Sequence, residues 1–225
     1  MSTQNKIYLR VSSLSHAEFC DKRSKIESFN VLNPFKSDIP TLKSIVYGNK
    51  MHEQYNYMNK GFDTSIILGN LEKYLVRGAL QKQIDNIVLR GIFDSIRVIT
   101  VNGKKYSVLL ELKTIQKKYL WSREILSGIK QLQLYMYMLK EILEELGYPL
   151  WKRGYLEIYS QHTGYMIRRI PVEYDVNIEE WVREVVRKFK GLSRMNVPHY
   201  AYCKRCPEQI RSKCDWYYLR SNKNE

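Results

Sequence analysis

Over 225 residues the chain is 44% hydrophobic, enough for one sizeable core, and 37 Lys and Arg against 23 Asp and Glu leave a net charge of +14. No run reaches the length of a membrane span and the opening MSTQNK is not a signal peptide, so a cytoplasmic protein with no membrane partner is expected. The excess of cations points to a polyanionic partner, nucleic acid first, although a thermophile's charged surface has the same balance.

Residues 11–28, VSSLSHAEFCDKRSKIES, predict a short helix with Ser12, Ser13 or Ser15 as N-cap and Cys20 near its end. Asn33-Pro34 and Ile39-Pro40 then break the chain into a loop. Residues 41–59 predict a second helix on which Gly48 and His52 lie one turn apart; ligand and ordinary partly buried histidine are both open readings of His52. Residues 64–89 are ambiguous, with one strand expected near 75–76 and another over 84–89.

The stretch 87–114, IVLRGIFDSIRVITVNGKKYSVLLELKT, organises the rest. Asn102-Gly103 between apolar runs is a strong hairpin signal, because both residues tolerate positive φ. A two-residue turn pairs Val101 with Lys104 and sets Asp94 across from Glu111, with Cβ atoms roughly 4.5 to 5.5 Å apart. Lys113 returns to the same face. Ile92, Ile96, Val98 and Leu109 on one side, with Phe93, Ile99, Leu110 and Leu112 on the other, predict a central hairpin covered on both faces. Opposed carboxylates in an apolar layer repel and lose hydration, and a divalent cation would compensate. An exposed hairpin tip, or an ion pair to Lys113 or Arg90, is the plainer alternative.

Residues 121–146 predict the clearest helix, with Ile125, Ile129, Leu132, Met136, Leu139 and Leu143 as its apolar stripe and Gly147 and Pro149 beyond its end. Gln131 and Tyr135 share one face of it, where packing alone would account for them. Strands at 154–160 and 165–172 form a last hairpin, reached by a right-handed parallel crossover, and 178–192 is the last helix. No repeat or linker divides the chain. A single domain is expected over 1–225, with the first helix in 1–40, a core over 41–175, and the last helix and a cysteine-bearing tail in 176–225.

Cys20 and the downstream trio Cys203, Cys206 and Cys214 make a poor disulfide pattern and a good metal pattern. Spacing leaves zinc and iron-sulfur both open. The tail interleaves Lys and Arg with Tyr200, Tyr202, Trp216, Tyr217 and Tyr218, a combination that suits single strands, although packing around a metal centre would also use these aromatics.

Taken in order, Gly48-x-x-x-His52, the GIFD ending in Asp94, Glu111-Leu112-Lys113 and Gln131-x-x-x-Tyr135 resemble the RecB-family nucleases of the PD-(D/E)xK superfamily. With the four cysteines, the resemblance is to the iron-sulfur branch, the CRISPR-associated RecB-like exonucleases and their viral relatives. It covers the chain from SSLSHAEFC to Cys214. The resemblance implies an α/β restriction-endonuclease-like core, a central mixed sheet flanked by helices, and an iron-sulfur clip joining the N- and C-terminal segments. It implies Mg²⁺ or Mn²⁺ held by His52, Asp94, Glu111 and the Leu112 carbonyl, with Lys113 beside the attacking water and Gln131 and Tyr135 at the edge of the site. It further implies a 4Fe-4S cluster on Cys20, Cys203, Cys206 and Cys214, with His199 a less favoured substitute ligand. The implied activity is phosphodiester hydrolysis in DNA, on single strands or ends, as a 5′ to 3′ exonuclease with endonuclease activity open. CRISPR spacer acquisition beside integrase proteins, or viral or recombinational DNA processing, is the implied setting, and a homo-oligomer is left open. Rival readings are a non-catalytic iron-sulfur or zinc DNA-binding module and a double-strand endonuclease of the same superfamily.

Overall fold

The computed structural model describes residues 6–29, 62–115, 122–196, 198, 203 and 206–217. Its first elements are β1 (Ile7–Arg10), α1 (Val11–Ser15), a 3-10 turn (His16–Glu18) and α2 (Asp21–Phe29), followed by α3 (Phe62–Leu71) and another 3-10 turn (Glu72–Tyr74). Next come β2 (Leu75–Val76), β3 (Ala79–Ile84), β4 (Ile87–Gly91), β5 (Ser95–Val101) and β6 (Lys104–Ile115). The chain continues with α4 (Ser122–Glu145), β7 (Arg153–Ser160), β8 (Met166–Glu173), α5 (Ile178–Phe189) and the single turn α6 (Glu208–Arg211).

Among the described residues the strands form two four-stranded mixed sheets, β1-β4-β3-β2 and β5-β6-β7-β8. β1 runs parallel to β4, and β6 runs parallel to β7 across the α4 crossover. Leu9, Leu89, Ile96, Leu109, Leu134, Leu139 and Leu156 are buried in one continuous core spanning both sheets and the helices. On the opposite face of the second sheet Val108, Leu110 and Leu112 form a small separate cluster with Trp151, Tyr155 and Tyr159 against it.

Several expectations change. The run over 87–101 is not one strand: it breaks at Ile92–Asp94 and passes from the first sheet to the second. Ile92 consequently stands 69% exposed instead of in a covered layer. The strand expected over 84–89 contains a reversal, with Asp85 at φ 51 between β3 and β4. The first helix is three short pieces broken ahead of Asp21, and its N-cap is Arg10, with no side-chain cap from any serine. Ser15 Oγ instead donates to the Ser12 carbonyl (2.8 Å) and contacts Ser127 Oγ (3.0 Å) on α4.

α4 and α5 form as the periodicity predicts. Leu132, Met136, Leu139 and Leu143 are buried along α4, and Gly147 (φ 80) follows its end. α5 buries Ile178, Val182, Val185, Val186 and Phe189, with Glu179 and Glu180 in its first turn and Arg187 and Lys188 in its last, matching the helix dipole. Gly191 (φ 76) stops it short of residue 192. No helix among the described residues is long and apolar enough to cross a membrane. The helix expected over 41–59, with Gly48 and His52, lies outside the described residues, as do His199, Tyr200, Tyr202 and Tyr218.

Candidate active site

The two-residue turn forms with Asn102 at φ 51 and Gly103 at φ 76, and the ladder holds the expected register from Val101↔Lys104 to Ser95↔Leu110. Asp94 stands one residue before the ladder, in the segment that switches sheets, and its Oδ2 accepts a hydrogen bond from the Leu112 N–H at 2.7 Å. That bond anchors the carboxylate beside Glu111. Alternation along β6 separates Leu112, in the outer cluster, from Leu109, Glu111 and Lys113, which face α4.

Glu111 is 1% exposed. Its Oε1 accepts from Lys113 Nζ at 2.5 Å, while Oε2 is buried and meets no N–H donor among the described residues, the Asp94 carboxyl being the hydrogen-bonding neighbour on that side. Burial first, and then the Asp94 charge, push its carboxyl up to about 8 against the partial relief that Lys113 supplies. Lys113 also donates to Gln131 Oε1 at 2.9 Å. Burial disfavours its ammonium, but Glu111 and Asp94 outweigh that, and its pKa lies above the ordinary value. At neutral pH it carries a proton.

Gly128, Gln131 and Tyr135 project from one side of α4, at spacings of three and four. A Cβ at Gly128 would meet Leu156 Cδ1 at 2.9 Å, so the missing side chain makes room for Leu156 of β7, and Lys113 Cε lies at an ordinary contact distance of 3.5 Å. Tyr135 is 2% exposed and hydrogen-bonds with Gln131 and the Ile92 backbone; burial, then Glu111 and Asp94, raise its pKa, keeping it a neutral phenol. A Cβ at Gly91 would lie 2.7 Å from Tyr135 Oη and 3.0 Å from Val11 Cβ. Gly91 is therefore a close-approach glycine through which the phenol fixes the segment leading to Asp94.

Sequence reasoning missed Gly91 and Gly128, whose signal was a glycine inside an otherwise regular strand or helix. It also missed His16, paired with Glu27, which in turn accepts from Arg23 Nε at 2.8 Å. Burial, Arg23 and, more weakly, the Lys113 charge hold His16 below its ordinary value, offset in part by Glu27. Its place within SSLSHAEFC was the available cue.

None of Cys20, Cys203, Cys206 and Cys214 is in a disulfide, and all four line one cavity with Phe19, Arg23, Arg211 and Tyr217. Burial pushes the Cys20 thiol up to about 12 and the Cys206 thiol up to about 11. The Arg23 N–H reaches Cys20 Sγ at 3.5 Å, and Lys22 pairs with Asp215 at 2.9 Å, so the helix beside Cys20 is tied to the tail. A second tie joins Asp21, fully buried, to the backbone N–H of Asn196 (2.5 Å) and to Lys188 (3.4 Å). Among the described residues no three His, Cys, Asp or Glu side chains come together closely enough to hold one metal ion as they stand.

Among solved structures, that of SSO0001 is similar over 96% of this chain and 89% of its own, with a TM-score of 0.53 and 17% identity, a likeness of fold alone. No curated protein matches. The family model described as "PD-(D/E)XK nuclease superfamily" matches residues 36–212, more than half of the sequence and all of the Asp94, Glu111 and Lys113 region. The chain belongs to the PD-(D/E)XK nuclease superfamily.

Proposed function

We propose that the protein is a metal-dependent deoxyribonuclease that hydrolyses phosphodiester bonds in single-stranded DNA or at DNA ends. Asp94 and Glu111, with His52 and the Leu112 carbonyl, would hold Mg²⁺ or Mn²⁺. The observation that carries this reading is the Glu111 carboxyl, buried against Asp94 and pushed up to about 8, whose Oε2 meets no N–H donor among the described residues. A buried acid left so poorly compensated fits a cation better than it fits a structural ion pair.

When bound, the cation neutralises charge developing on the phosphate and makes the attacking water more acidic. The chain's own groups do the rest. Lys113, fixed by Glu111 and Gln131, stays protonated, so its part is to stabilise negative charge and orient the water, not to remove a proton. Gln131 holds that ammonium in place. Tyr135, neutral and buried, keeps the segment before Asp94 in register. A 5′ to 3′ exonuclease polarity, endonuclease activity, and a role in CRISPR spacer acquisition or in viral or recombinational DNA processing extend this reading on the resemblance of the motifs.

The reading also includes a 4Fe-4S cluster on Cys20, Cys203, Cys206 and Cys214. Four cysteines outside any disulfide around one cavity fit that donor set, and Arg23 and Arg211 supply positive charge against a thiolate-ligated centre. Its role is structural: it would fasten α2 to the tail that Lys22 and Asp21 already hold.

End-labelled linear and circular single-stranded DNA, incubated with the purified protein in Mn²⁺ and in EDTA, tests the activity. Cleavage in Mn²⁺ that disappears in EDTA supports it, and circles separate endonuclease from exonuclease action. Absence of metal-dependent cleavage on every substrate refutes it. Anaerobically purified protein should be brown and contain iron and sulfide; a colourless, zinc-containing preparation refutes the cluster.

A further inference from the structure

A cleft of about 320 Å³ opens beside Asp94, and Thr64 and Leu68 of α3, Leu80 of β3 and Phe93 are among its walls. That volume lies at the small end of pockets that hold organic ligands. Apart from Thr64, Asp94 and Ser95 its lining side chains are apolar, and Gly78 and Gly91 leave the backbone open at two points. Ile92, exposed at its lip, is the residue that the sheet switch turns out of the core.

Two arginines meet at the turn that contributes Gly78 to the cleft. Arg77, exposed and at φ 51, precedes Gly78 in the turn between β2 and β3. Arg90, whose strand neighbour Gly91 lines the cleft, donates from Nη2 to the Arg77 carbonyl at 3.2 Å, which brings its guanidinium to that same turn. An apolar slot with two arginines at its adjoining turn and a carboxylate of the candidate site in its lining matches one kind of ligand: a flat apolar ring joined to a phosphodiester backbone.

We propose that this cleft takes the base of one unpaired nucleotide adjoining the scissile phosphate, with Arg77 and Arg90 on the neighbouring phosphates. The inference rests on the nuclease reading above and sharpens its substrate class. A base within a duplex is paired and stacked, and could enter only by flipping out, so the cleft selects single strands and frayed ends. Ile92 and Phe93 give the base apolar surface within reach of Asp94, which couples recognition of the base to the position of the bond that is cut.

The test uses the full chain and single-stranded oligonucleotides in which one abasic residue is walked along the sequence. Single-turnover cleavage is followed in Mn²⁺, and binding is followed by fluorescence anisotropy in EDTA. Loss of the base at one position, next to the bond cut, should weaken binding and slow cleavage about tenfold, with changes under about twofold elsewhere. Leu68→Trp, which fills the cleft, should weaken intact DNA to the same degree and remove the abasic penalty. Equal behaviour at every abasic position, or an undiminished penalty in Leu68→Trp, overturns the proposal. Cleavage without a position-dependent penalty would remove the cleft's role and leave the nuclease reading standing. A penalty in binding without any metal-dependent cleavage would do the reverse.

Discussion

Replacing Glu111 by Gln should make the cation-free protein more stable at alkaline pH while destroying its function. The carboxyl is pushed up to about 8, whereas the unfolded chain has the ordinary value of 4.5. Between those two values the folded state holds a proton that the unfolded state has released, so stability falls as pH rises through that window. At about 1.4 kcal/mol for each pH decade, the loss grows to a few kcal/mol by about pH 9. The amide has nearly the same shape as the carboxyl and never ionises, so the Glu111→Gln protein escapes that loss. It forgoes the ion pair with Lys113, whose ammonium still has the Asp94 charge nearby. Urea unfolding in EDTA, followed by tryptophan fluorescence from about pH 5 to pH 9, should give a falling curve for the native protein and a nearly level one for Glu111→Gln. Saturating Mn²⁺ should restore the native protein at high pH and leave the variant unchanged, since ligand binding stabilises only the state that binds it. Parallel curves for the two proteins in EDTA would refute the electrostatic account of the carboxylate pair.

Lys113→Met retains the stem and removes the ammonium; the cleavage rate should fall on the order of a hundredfold or more in a protein that remains folded, and a rate within about threefold of native refutes its assigned part. Gly91→Ala puts a methyl 2.7 Å from Tyr135 Oη, so it should cost about 1 to 3 kcal/mol of stability in thermal melts and lower the cleavage rate. Adding Tyr135→Phe removes the nearest of the clashing atoms and should recover part of that stability; strict additivity of the two changes would contradict the close-approach role of Gly91. Cys206→Ser should lose bound iron and lower the melting temperature, and unchanged metal content measured by elemental analysis would remove Cys206 from the ligand set.

The site was legible where local chemistry dictates it. Asn102-Gly103 fixed a two-residue turn and the turn fixed the register as far as Ser95↔Leu110; the expected strand pair of Asp94 with Glu111 does not form, and the Leu112 N–H holds Asp94 beside Glu111 instead. The regular stripe of α4 likewise put Gln131 and Tyr135 on one side. The sheet switch was not legible, because the β-rich run over 87–101 reads as continuous strand and carries no proline or turn pair at Ile92–Asp94. It coincides with a tertiary contact, Tyr135 of α4 packed close on Gly91, that no local propensity records. β1 escaped notice because four residues carry too little alternation to stand out, and its strand character comes from pairing with β4, far along the chain. α3 was missed because the apolar residues of TSIILGNL stand in one short block with polar residues and a glycine on either side, leaving no helical period to detect.

The most direct test of the account is the cleavage of single-stranded DNA by native protein and by Asp94→Asn in parallel, each in Mn²⁺ and in EDTA. The account predicts cleavage by the native protein in Mn²⁺ alone, and none by Asp94→Asn, which retains its fold and its affinity for DNA. Equal cleavage by the two proteins, or cleavage by the native protein that persists in EDTA, would contradict it.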